Sequence, residues 1–239
     1  MLKTKIAVLA ATGLMASCVG AENTTEASIR KNIEPRLGGA KIDSITATPY
    51  SGLYELRIGT DILYADKKGE FLFIGQVYDA KSSKNLTRAR IDDLTKIKFS
   101  DLPLSLALKQ VKGNGKRTIA VFEDPNCGYC KRLRQTTLKD IDDVTIYTFM
   151  YNILSEDSFT KSKNIWCAPN RVKAWDDWMI DNKLPPAAPA NCDTPNQKIV
   201  DLGHKLKITG TPAIFFTDGT RIPGAVDLPA LEEKLNSIK

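Results

Sequence analysis

Histidine is nearly missing from this chain: His204 is the only one in 239 residues. Zinc wants four ligands, often supplied as paired C-x-x-C units, and the sequence offers one such unit, so it argues against a metal site. A cysteine hydrolase would need a base beside its thiol. His204 falls in a helical pattern, as a surface or core residue, with no reason to face one. No stretch beyond the N-terminal region reaches the roughly 18 apolar residues of a membrane helix. A basic stripe interleaved with aromatics, the footprint of nucleic-acid binding, is also lacking, so the formal charge of +6 reads as solvated surface. Five cysteines are too few for a disulfide-packed mini-protein and too many to pass over as core residues.

What is present begins with a targeting pattern. Lys3 and Lys5 precede the apolar run from Ile6 to Ala16, and Val19-Gly20-Ala21 offers a small-residue cleavage site. Residues 1–21 are therefore expected to be a signal peptide, and the remaining chain an exported, soluble one. Met15-Ala16-Ser17-Cys18 also resembles a bacterial lipoprotein box, which makes Cys18 a candidate for lipidation. Four cysteines then remain for an oxidising compartment, most simply as two disulfides or dithiols.

Along the chain, Ser28 to about Leu37 has a helical pattern stopped by Gly38-Gly39. Strand-like runs follow at Lys41–Ala47, Leu53–Ile58, Ile62–Ala65 and Phe71–Val77, with turns at Gly59-Thr60-Asp61 and Lys67-Lys68-Gly69. A unit of this size has a thin core, so pairing with a second copy is a physical expectation. Residues 86–116, with Leu86, Ile91, Leu94, Leu102, Leu104, Leu106 and Leu108, read as a helical linker. Beyond it strands and helices alternate. Thr118–Phe122 and Val144–Met150 read as buried strands, with a helix from Cys127 to Leu138 between them. Helices are expected at Ser158–Ala168, Arg171–Asn182 and Pro195–Lys207. A hairpin about Asp218-Gly219 and a final helix at Leu228–Ser237 complete a mixed sheet with helices on its faces.

The chemistry concentrates in Cys127-Gly128-Tyr129-Cys130, where a strand gives way to a helix. The first amides of a helix lack intrahelical partners and the macrodipole is positive there, so a thiolate is stabilised. Cys127 is the expected exposed nucleophile, with Lys131, Arg132 and Arg134 adding positive potential. Cys130, one turn in, is the expected resolving thiol. An inert disulfide between them is disfavoured, because so small a loop gains little chain entropy. Gly210-Thr211-Pro212 opens a later strand, where a proline is out of place unless it makes a tight conformation such as a cis bond.

These motifs in combination resemble the DsbC-type disulfide isomerases of the bacterial periplasm. The resemblance runs from Gly75-Gln76-Val77-Tyr78-Asp79, through Phe122-Glu123-Asp124-Pro125-Asn126-Cys127-Gly128-Tyr129-Cys130, to Ile165-Trp166-Cys167 and Gly210-Thr211-Pro212-Ala213. It implies an α+β chain: a cystatin-like dimerisation domain over 22–85, the linker over 86–116, and a thioredoxin-like domain with a helical insertion over 117–239. It implies a homodimer that attacks non-native disulfides of misfolded exported proteins through Cys127, kept reduced by a membrane-bound electron donor of the DsbD type. No cofactor and no nucleic acid are implied. Thr211 and Pro212, with Gly128 and Tyr129, would hold the substrate strand. Cys167 and Cys192 match the family's structural disulfide. One departure from thioredoxins is Val121, six positions before Cys127, where they carry a buried acid; Glu123 and Asp124 are candidates to replace it.

Alternatives to an isomerase are a net oxidant or reductase of the same fold, and a holdase chaperone without redox chemistry. Gly128-Tyr129 lacks the histidine of strong oxidants, and the N-terminal unit also favours an isomerase.

Overall fold

The computed structural model describes residues 18–238, and the side chains from 24 onward. Most of the expected signal peptide therefore lies outside the described residues, as does the Cys18 side chain. The chain divides into two compact units, the first ending at Arg88 and the second beginning at Ala89.

The first unit is a helix on a four-stranded antiparallel sheet. Helix α1 spans Cys18–Ile33, longer at its start than the expected Ser28–Leu37. Among its described side chains, Thr25, Ile29 and Ile33 are buried on one face, and a threonine in that series hides the period in the sequence. Strands β1 (Ser44–Ala47), β2 (Tyr54–Ile58), β3 (Asp61–Ala65) and β4 (Leu72–Phe73) follow in spatial order. Ile29 and Ile33 pack with Ile42, Leu56 and Ala65 to make the core. Gly69 turns between β3 and β4 at φ +70°, and a Cβ there would sit 2.9 Å from the Ile29 Cα; both conformation and closeness call for glycine. Strand β4 is far shorter than the expected Phe71–Val77. It lies at the sheet edge, with Phe71, Phe73 and Ile74 exposed. Apolar composition alone does not make strand where no partner supplies the second ladder. Thr87, on α2 (Leu86–Leu94), closes the unit, its hydroxyl bonding the Tyr64 hydroxyl at 2.7 Å and accepting from the Val77 amide at 2.8 Å.

The second unit corrects the helical linker. Beyond α2 there are only two short 3-10 turns, and Leu108–Lys112 is a strand, β5, paired antiparallel with β7. Leu102, Leu104, Leu106 and Leu108 recur every second residue, which is the period of extended chain, and Pro103 breaks any helix there. Strands β5, β6 (Arg117–Glu123), β7 (Val144–Met150), β8 (Ala213–Phe216) and β9 (Arg221–Pro223) form one sheet in the order β5-β7-β6-β8-β9. Only β6 and β7 run parallel.

Alternation along β6 sends Ile119 and Val121 to one face, with Leu133, Leu138, Leu231 and Leu235. Ala120 and Phe122 face the other side, with Tyr151, Ile199 and Phe215. Both faces are covered, which is why the central strands read as nearly continuous apolar runs. Helix α3 (Gly128–Leu133) follows β6 and continues as a π-helical turn over Arg134–Leu138. Helices α4 (Glu156–Trp166) and α5 (Arg171–Met179) form an insertion after β7, α6 (Asn196–Lys205) leads back to β8, and α7 (Leu228–Asn236) closes the chain.

Candidate active site

The site is built where β6 ends and α3 begins. The buried Asp124 fixes this bend. One carboxylate oxygen accepts from the Asn126 amide at 2.8 Å and the Ser158 hydroxyl at 2.8 Å. The other accepts from the amides of Ile153 at 2.8 Å and Leu154 at 3.0 Å. The side chain therefore ties the end of β6 to the segment after β7. From α5, Trp178 donates its indole N–H to the Pro125 carbonyl at 2.7 Å.

Held this way, Cys127 becomes the N-cap of α3, and its Sγ accepts from the Cys130 amide at 3.2 Å. The Thr211 carbonyl lies 3.3 Å from the same sulfur and accepts from it when it is a thiol. The Thr211–Pro212 peptide is cis. Hydrogen bonding from the Cys130 side chain lowers the Cys127 pKa most. Burial opposes this; the Thr211 side chain and the amides of Cys130 and Tyr129 reinforce it, and the thiol falls to about 6. For Cys130 the balance is opposite. It is fully buried, and burial, the neighbouring Cys127 sulfur and the charge of Glu123 push its thiol far up.

Cys127 differs from the exposed nucleophile expected: it is 5% exposed. It packs in one cluster with Cys130, Met150, Ile165, Trp175 and Trp178, and the Thr211 carbonyl closes over its sulfur. A Cβ added at Gly128 or Gly210 would meet nothing within 4 Å, and Tyr129, next to Gly128, stands 67% exposed.

Glu123 and Asp124, candidates for the missing buried acid, have different surroundings. Val121 is an apolar core residue. Asp124 is committed to the four bonds above. Glu123, wholly buried, has its carboxylate clasped by Arg134 at 2.5 and 2.9 Å. The Arg134 guanidinium also approaches Asp176 at 3.6 Å and Gln110 at 3.4 Å, and it donates to the Thr148 hydroxyl. Burial raises the pKa of Glu123 although Arg134 pulls it down, and burial likewise raises that of Asp176.

Of the cations expected to help Cys127, Lys131 lies over the Trp178 ring at 3.9 Å from its centroid, with Lys161 at 4.5 Å. Arg134 points into the interior instead. His204 is exposed near the end of α6, its ring edge-on to Tyr151; the hydrogen-bond partners of Cys127 Sγ are Cys130 and Thr211. Among the described residues no cluster suited to a metal ion occurs. Cys167, capping α4, is bonded to Cys192 in the loop before α6, with 6.2 Å between their Cα atoms. Trp178 and Asp176 went unnoticed in the sequence because their partners lie 53 and 66 residues away. Arg134 carried a signal: four residues after Cys130, it shares that residue's helix face.

Comparison with known proteins extends this picture to both units. Residues 20–88 match the disulfide bond isomerase protein N-terminal domain, and residues 104–239 match a thioredoxin-like domain. The chain is 47% identical over 208 residues to the probable thiol:disulfide interchange protein DsbC of Bordetella parapertussis, covering 87% of this chain and 73% of that one. It is 28% identical over 217 residues to the thiol:disulfide interchange protein DsbC of Escherichia coli, covering 88% and 87%. A crystal structure of a disulfide interchange protein from Neisseria gonorrhoeae superposes with a TM-score of 0.54 at 40% identity, over 57% of this chain and 97% of the other.

Proposed function

Because this chain belongs to the DsbC family of thiol:disulfide interchange proteins, we propose that its dithiol works chiefly as a disulfide isomerase. Cys127 is the attacking sulfur and Cys130 the resolving one. The observation that carries this reading is the opposed ionisation of two thiols one helical turn apart: Cys127 lowered to about 6 and Cys130 pushed far up. At neutral pH the first is a thiolate and the second a reserve. The thiolate of Cys127 attacks one sulfur of a substrate disulfide, forming a mixed disulfide and freeing the other substrate sulfur as a thiolate. If that thiolate exchanges with another substrate disulfide, and the substrate thiolate so freed attacks the sulfur bonded to Cys127, a new substrate disulfide forms and Cys127 leaves as a thiolate, with no net oxidation. If it does not, Cys130 attacks Cys127, releasing reduced substrate and leaving an oxidised pair. The Thr211 carbonyl beside Cys127 offers an extended substrate a backbone acceptor, flanked by Gly128, Tyr129 and Pro212.

The first unit supplies the second half of the proposal. Its edge strand β4 leaves Phe71, Phe73 and Ile74 exposed at 63%, 47% and 78%, on a unit whose core is thin. A second copy of the chain covers this edge, so that two dithiols act on one substrate. In the cell the protein works in the periplasm on misfolded exported proteins, and a membrane-bound donor of the DsbD type returns Cys127 and Cys130 to the reduced state.

A refolding assay tests the reading. Scrambled multi-disulfide substrate, given wild-type protein in a glutathione buffer, should regain activity. Cys127→Ser should abolish the recovery while leaving suppression of aggregation. A pure holdase would lose nothing on that substitution. A net oxidant would oxidise reduced substrate and leave scrambled substrate scrambled.

A further inference from the structure

The step in which Cys130 attacks Cys127 needs the most buried thiol of the site to lose its proton, and both Glu123 and Arg134 lie close enough for their charges to interact with it. Glu123 ends β6, Cys130 lies in the first turn of α3, and Arg134 follows one turn later on the same helix face. All three are buried, at 0%, 0% and 2% exposure. Asp124 is saturated by four hydrogen bonds that hold the bend, whereas the Glu123 carboxylate is held chiefly by Arg134, with the Trp175 side chain beside it. A buried ion pair is seldom kept for stability, because desolvation offsets its Coulombic gain.

We propose that Glu123 is the proton acceptor for Cys130, and that Arg134 is a positioning residue whose charge serves both members in turn. In the mixed disulfide, Cys130 is a thiol, Glu123 a carboxylate and Arg134 a guanidinium. The Cys130 proton passes to Glu123, directly or through one water, and the Cys130 thiolate takes over the pairing with Arg134. That thiolate attacks Cys127, forming the Cys127–Cys130 disulfide and breaking the bond from Cys127 to the substrate sulfur, which leaves as a thiolate. The dithiol is oxidised by two electrons and the substrate disulfide is reduced by two. The proton stays on Glu123 until the leaving thiolate or solvent removes it. Negative charge moves within reach of one fixed cation, so no isolated buried charge is created at any stage. The charged groups facing this centre are Arg134 itself, Asp176 from α5, and Lys112 from β5 through Asp176 and Arg134. The role rests on Cys127 being the nucleophile, and it places this chain's proton acceptor two residues later than the Val121 position where thioredoxins carry theirs.

The test uses full-length reduced protein and 5,5′-dithiobis(2-nitrobenzoate). Attack by Cys127 releases one equivalent of thionitrobenzoate, and attack by Cys130 on the resulting mixed disulfide releases a second. Glu123→Gln should leave the first release within about twofold of wild type across pH 5–9 and slow the second at least tenfold at pH 7 (general-base catalysis commonly contributes 10²–10⁴-fold). Glu123→Asp should restore part of the second rate. The double variant Glu123→Gln, Arg134→Gln removes both charges and so relieves any stranded cation; its second release should stay slow. A wild-type second rate in the single or the double variant overturns the proposal. No first release from wild-type protein contradicts the functional reading, and the proposal with it.

Discussion

The Trp178 indole N–H donates to the Pro125 carbonyl at 2.7 Å, so a helix of the insertion holds the turn that presents Cys127. Lys131 and Lys161 approach the same ring. Trp178→Phe keeps much of the apolar contact and strands the carbonyl in a nearly dry site. A loss of about 1–3 kcal/mol is expected, read as a lower denaturation midpoint of the reduced protein. The turn is also loosened, so alkylation of Cys127 at pH 7 should slow.

Asp124 makes a separate prediction. Replacing it with Ala removes the acceptor for three amides and a hydroxyl in a fully buried position. Each donor left unsatisfied costs about 1–3 kcal/mol less whatever water restores, so Asp124→Ala should rank among the most destabilising changes in this unit. Urea unfolding of this variant beside wild type measures the loss.

The bond between Cys167 and Cys192 closes a loop across 25 positions. Loss of that closure costs about 3 kcal/mol by chain entropy. The Cys167→Ala, Cys192→Ala double variant should unfold at lower denaturant while Cys127 keeps its reactivity, since neither sulfur enters the thiol cluster around it. Denaturant titration beside a thionitrobenzoate assay checks both halves.

Covering of the β4 edge by a second copy predicts that Ile74→Lys, made at the most exposed apolar residue of that edge, yields a monomer. Light scattering reads the mass. The monomer should retain exchange with a small disulfide and lose most of its recovery of scrambled protein.

Between about pH 6 and the ordinary thiol range, the Cys127 thiolate should make the reduced protein more stable as pH rises. The Cys127 pKa is lower in the folded chain than its ordinary value, so between about 6 and the unfolded-chain value the unfolded state binds more protons. The stabilisation is fully present above the unfolded-chain pKa and is lost as pH falls through about 6. Disulfide-oxidised protein should lack this dependence, and unfolding both forms at a series of pH values compares them.

Much of the site was legible because its logic is local. A β-branched strand, Cys127-Gly128-Tyr129-Cys130 and a helix lie within twenty residues, and Gly210-Thr211-Pro212 stands out as a proline at the head of a strand. The missed parts depend on contacts between distant segments. Nothing near Trp178 announces Pro125, and Asp176 meets Gln110 only after the insertion packs against β5. The exposure expected of Cys127 was wrong because the Thr211 loop that covers it is 84 residues away. Among secondary elements, the alternating leucines before Lys109 carried the period of a strand, and Phe71–Val77 carried strand composition without a neighbour to complete the pairing.

The unequal ionisation of Cys127 and Cys130 is tested most directly by alkylation of each thiol as a function of pH. Reduced protein is pulsed with iodoacetamide from pH 4 to 9 and the modified cysteines are identified by mass spectrometry. Cys127 should reach half its maximal rate near pH 6, with Cys130 unmodified throughout. If the two cysteines instead react together with midpoints near the ordinary thiol range, the division into nucleophile and reserve thiol is contradicted.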